Sequence, residues 1–166
     1  EAFTLYEEGF RKACELKDTF WMQEMLLEQG KMYRFVWQDY SSCTSTFRRI
    51  VSLKEQPLHT YSLGLAMALE RNDSAVYYMN RAAELSMQEK DTAQAIFFLR
   101  NMMESQIYAL NAYQEAIHTA KRLIQKNEQL QLNDNTLVES CYDCMTQSYL
   151  KMRKLDSAQY MLNKTD

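Results

Sequence analysis

Few residues in this sequence could do chemistry. Cys141-Tyr-Asp-Cys144 places two thiols three positions apart, a spacing that invites a metal or dithiol reading. Zinc would need two further ligands at workable spacing, and neither a second CxxC nor a His pair follows. A redox CxxC normally sits at a helix N-terminus after a strand, where the helix dipole lowers the thiol pKa. Here the pattern starts a helix about five residues earlier, at Thr136. The sequence therefore predicts two buried neighbours within a helix. His59 and His118 are the only histidines, and neither has a partner within motif reach. Gly9, Gly30 and Gly64 lie too far apart to cradle a phosphate. No nucleophile elbow is present, and no acidic pair stands out as an acid and base. The expectation is a chain with no catalytic residue, metal or cofactor, and so not an enzyme.

The bulk composition agrees. The chain has 166 residues, 46% apolar and 25% charged, enough to build a core of its own. A net charge of −3 shows no basic excess, which argues against direct nucleic-acid binding. No run of about 18 apolar residues occurs, so no membrane span is expected in this segment. The cysteines at 14, 43, 141 and 144 are too scattered to read as a disulfide framework. The first residue is Glu1 rather than Met, so the sequence is expected to be a piece of a longer or processed chain. The compartment, cytoplasmic or bacterial periplasmic, stays open.

With three Gly and one Pro, almost every stretch favours helix. Apolar spacing predicts about nine helices. They cover Ala2 to Leu16, Phe20 to Trp37, Tyr40 to about Val51, Pro57 to Glu70, and Ala75 past Leu85. The others run from Thr92 to Leu110, Tyr113 past Leu123, Leu137 to Met152, and Asp156 onward. Lys17-Asp18-Thr19 offers a cap, Asp91 with Gln94 and Thr136 with Glu139 have capping-box spacing, and Pro57 suits a first helical position. Lys126 to Asn135 is expected to be a loop plus a frayed helix end. No strand pattern competes. Short turns imply antiparallel neighbours.

Tyr142-x2-Met145-Thr146-x2-Tyr149-x8-Ala158-x3-Leu162 resembles the tetratricopeptide repeat (TPR). That family pairs a bulky residue, a Leu-Gly-like pair and a Tyr on one helix with an Ala and a Phe-like residue on the next. Leu26-x2-Gln29-Gly30-x2-Tyr33 with Tyr40-x2-Cys43-x3-Phe47 is similar. So is Leu63-Gly64-x2-Met67 with Ala75-x3-Met79-x2-Ala82. Tyr6-x2-Gly9-x3-Ala13 and Tyr113-x2-Ala116-x3-Ala120 resemble further second helices. The pattern departs most at Met103-Glu104, where Leu-Gly is expected.

The small residues Gly9, Cys43, Ala75, Ala116 and Ala158 fall at intervals of 34, 32, 41 and 42, against a family period of about 34. The last two intervals need longer helices. The resemblance spans nearly the whole chain. It implies one all-α domain over residues 1 to 166, an α-solenoid of helix hairpins winding as a right-handed superhelix. An irregular bundle with accidental spacing is the plain alternative.

In the family, the concave groove lined by first helices holds a peptide or a helix of a partner protein. Carried over by position, the groove residues are Lys31, Arg34, Tyr61, Asn101, Ser105, Tyr108, Asp143 and Gln147. Tyr offers stacking area, Asn and Gln can bond an extended backbone, and Lys31 and Arg34 can meet a carboxylate. The basic carboxylate clamp of chaperone-binding members is not recognisable here. The resemblance thus implies a protein-binding scaffold. The alternative is a sensory domain of a bacterial regulator that responds to a small ligand or peptide. An unpaired first helix would leave an apolar edge able to drive homodimerisation.

Overall fold

The computed structural model describes residues 1–164. Among them are nine α-helices and one π-helical turn, and no strand. The helices are α1 (Ala2–Glu15), α2 (Thr19–Met32), α3 (Tyr40–Leu53), α4 (Pro57–Leu69), α5 (Ser74–Gln88), α6 (Thr92–Tyr108), α7 (Tyr113–Gln129), α8 (Asn135–Lys151) and α9 (Leu155–Leu162). The π segment, Tyr33–Trp37, continues α2. Contacts group the chain into two compact units, Glu1–Lys90 and Asp91–Asp166. Within each unit every helix packs on its neighbour in sequence, the all-α repeat-like layout that short turns impose.

Caps explain most of the starts. Asp18, Asp39 and Asp91 accept from the amides of Trp21, Ser42 and Gln94 at 3.1, 3.1 and 2.9 Å. Pro57 opens α4, where its missing N–H costs nothing. For α8 the cap is Asp134 rather than Thr136: its carboxylate accepts from Leu137 N at 2.9 Å. Asn127 Oδ1 in turn accepts from Asp134 N at 3.0 Å. Asp134 prevails because a carboxylate at a helix start also meets the positive end of the dipole. The polar stretch from Lys126 stays helical to Gln129, because Leu123 and Asn127 are buried and hold that turn down.

The helix ends repeat one device. After α1, α4, α7 and α8 a residue takes left-handed backbone: Lys17, Arg71, Gln131 and Arg153. The next amide then reaches back five residues to a carbonyl, as in Asp18 to Ala13, Asn72 to Met67, Leu132 to Asn127 and Lys154 to Tyr149. None of these left-handed residues is Gly, which keeps the glycines for another use.

That use is close helix approach. Cys43, Ala75 and Ala116 are fully buried, and Ala158 is 3% exposed. Gly9 is half-buried in α1 and lies against Met25 of α2. The Cys43 thiol donates to the Gly30 carbonyl at 3.6 Å, so α2 and α3 meet at two small residues. A Cβ on Gly64 would sit 3.0 Å from both the Ala75 carbonyl oxygen and the Met79 amide nitrogen. There α4 and α5 touch backbone to backbone. Leu26, Ile50, Leu63, Met67 and Met79 fill the first unit, and Phe98, Met102, Met103, Ile117, Leu123 and Met145 the second.

Candidate protein-binding cleft

In the second unit α6 is held down by Phe98, Leu99, Met102, Met103 and Ile107, all buried. Helical spacing then leaves Asn101, Ser105 and Tyr108 along one flank. On α8, Cys141, Cys144, Met145 and Ser148 are buried, and Asp143 and Gln147, one turn apart, are exposed. Met103, Glu104, Ile107 and Tyr108 of α6 face Ser140, Asp143, Cys144 and Gln147 of α8 across a cleft of about 160 Å³. The Tyr108 hydroxyl donates to Gln147 Oε1 at 2.6 Å, bridging the mouth. Tyr108 is nevertheless 63% exposed.

The cleft has an apolar floor of Met103 and Ile107 and a polar rim. Two rim residues, Glu104 and Asp143, are carboxylates. Glu104 is shared with Arg100, whose Nε lies 3.5 Å away. A segment with N–H groups or a cation would suit this rim. The volume falls below the ~300–1,000 Å³ of drug-sized ligand sites. It has room for about one side chain.

The structure gathers three of the eight sequence-predicted residues, Tyr108, Asp143 and Gln147, into this cleft. Ser105 is half-buried on α6 and is not among the lining residues. Asn101 spends an amide hydrogen on the Phe97 carbonyl of its own helix, at 2.8 Å. In the first unit Lys31 is exposed and pairs with Glu28, one turn away, at 2.5 Å. The Arg34 guanidinium stacks over Phe35 at 4.6 Å. Tyr61, expected on an open face, is instead buried within α4 at 7% exposure. Pro57, His59, Thr60, Leu63 and Gly64 around it are buried too, so nearly every side of early α4 is covered. Sequence reasoning missed Glu104 and Ser140. Both lie one helical turn before a predicted residue, which was the available signal.

Cys141 and Cys144 lie inside α8, away from its start. Burial pushes both thiols up to about 12, so both stay protonated near neutral pH. Among the described residues no three His, Cys, Asp or Glu side chains gather as a metal site would require. No described helix is long and apolar enough to cross a membrane.

A second feature was not expected. Phe3, Tyr33 and Trp37 pack edge to face, with ring centroids 5.0 to 5.4 Å apart. The π turn makes this possible by widening the end of α2, where Asp39 N bonds back to the Tyr33 carbonyl. Phe35 and Val36 are left outside, more than 60% exposed.

No family model matches the sequence, and no curated protein matches it.

Proposed function

We propose that this chain is a TPR-like, non-enzymatic scaffold whose α6–α8 cleft holds a segment of a protein partner. The observation that carries this reading is the convergence of Tyr108, Asp143 and Gln147 on one cleft. These residues come from sequence positions 39 apart at most and were chosen from the repeat pattern alone. Small residues at the helix crossings support the repeat assignment. An apolar floor with an acidic and amide rim supports an extended segment that inserts one apolar side chain. The segment presents N–H groups or a Lys or Arg beside that side chain.

The test is a synthetic peptide array probed with the purified chain, followed by calorimetry on the best peptide. Tyr108→Ala removes aromatic contact area and Asp143→Lys reverses the rim. Each is expected to weaken binding by about tenfold or more. Helical content should stay unchanged, because both side chains are exposed. Binding that neither variant alters would reject the cleft.

A further inference from the structure

We propose that copies of this chain associate head to tail, with the exposed Leu5 ridge of α1 in one copy entering the α7–α8–α9 cavity of another. The cavity is about 300 Å³ and lies on the side of α8 opposite Asp143 and Gln147, so it is separate from the cleft above. Ile124, Met145 and Met161 give it an apolar lining, and Tyr160 forms a wall. Lys121 and Lys164 stand at its rim, both exposed. Among the described residues neither ammonium has a carboxylate within salt-bridge distance. Lys164 lies over the Tyr160 ring at 5.6 Å instead. Such a site fits an apolar group with carboxylates on either side of it.

The chain itself carries that group. Leu5 is 66% exposed on α1, with exposed Glu1 one turn before it and exposed Glu8 one turn after. No Lys or Arg lies within four residues of Leu5. The other strongly exposed leucines carry the wrong charge: Leu16 sits beside Lys12 and Lys17, and Leu155 beside Lys151 and Lys154. In its own unit α9 packs chiefly on α8, and it leaves Leu155, Tyr160 and Leu162 outside. Ridge and cavity are different surfaces, so a single such contact leaves one of each free. The contact is heterologous and grows unless the copies close into a ring, of which a reciprocal pair is the smallest.

Sedimentation velocity over a concentration series tests this. The expected result is association, as a reciprocal dimer or a larger assembly, that weakens between about 50 mM and about 500 mM salt, as rim ion pairs are screened. Leu5→Ser, and separately Lys121→Glu with Lys164→Glu, should each raise the dissociation constant by about tenfold or more. Mixing those two variants restores one good ridge and one good cavity, so a one-to-one complex should form and stop there. A chain that stays monomeric up to about 1 mM overturns the proposal. So does a dimer that neither variant disturbs, or a mixture in which the variants ignore each other. All the substituted residues are exposed, and unchanged circular dichroism of each variant confirms its fold.

Discussion

Replacing Gly64 by Ala separates two physical effects of opposite sign. Within a helix, Ala is favoured over Gly by about 1 kcal/mol, so propensity alone predicts a more stable chain. The structure predicts the reverse. The new Cβ would lie 2.8 Å from Met79 Cγ and 3.0 Å from the Ala75 carbonyl oxygen and the Met79 amide nitrogen, where ordinary contact begins near 3.4 Å. Met79 Cγ can swing a little, but the two backbone atoms belong to α5 and move only with it. Overpacking of this kind costs about 1–3 kcal/mol. After the propensity gain, the net loss is about 0–2 kcal/mol.

For a unit of this size, 1 kcal/mol corresponds to about 4–8 °C in Tm. Gly9→Ala is the internal control. Its Cβ would meet only the Met25 side chain, at Sδ and Cγ, which can rotate away. It should leave stability within about 0.5 kcal/mol of the parent, or raise it. Urea unfolding followed by far-UV circular dichroism measures both, and an unchanged slope keeps the comparison valid. If Gly64→Ala is more stable than the parent by the full propensity gain of about 1 kcal/mol, α4 and α5 do not touch at Gly64, and the small-residue argument fails.

Ala158→Leu should overpack the contact between α8 and α9, costing about 1–3 kcal/mol. Because α9 is short and packs chiefly on α8, hydrogen exchange should accelerate in α9 and hardly at all in α6; uniform exchange would argue against that packing. His59 is buried, and desolvation lowers its pKa, with Glu24 opposing more weakly. The unfolded chain therefore binds its proton first. Stability should be full above the ordinary histidine range and fall as pH drops through it, by up to about 1.4 kcal/mol per pH unit. His59→Gln should flatten that slope, and an identical pH profile would show that His59 is not its source. Burial also raises the thiols of Cys43, Cys141 and Cys144, whereas Cys14 is exposed. One thiol of the four should react rapidly with an aromatic disulfide reagent in the folded chain and all four in denaturant; fast modification of Cys141 or Cys144 would mean that α8 opens.

Much of the fold was legible because helices obey local rules. The aspartate caps, Pro57 and the 3.6-residue apolar rhythm each leave a signature within one turn of sequence. The choice between Asp134 and Thr136 as a cap was not legible. Both are good caps, and the bond from Asp134 N to Asn127 that helps fix the start joins α7 to the loop before α8. The π turn was hidden for a similar reason: Tyr33 and Trp37 read as ordinary helix, and only Phe3 on another helix rewards the wider winding. Tyr61 shows the limit of carrying over positions. Its place in the repeat pattern suggested an open face, but burial depends on how neighbouring helices cover early α4. Tyr108, Asp143 and Gln147 line one cleft because α6 and α8 lie side by side within the second unit.

The most direct test of the proposed role is amide chemical-shift mapping of the isotope-labelled chain titrated with its best-binding peptide. Shifts concentrated along α6 and α8, strongest near Glu104, Tyr108, Ser140, Asp143 and Gln147, are the expected result. Shifts confined to α7 and α9, or no peptide binding below about 1 mM, would contradict the assignment of this cleft as the place where a partner is held.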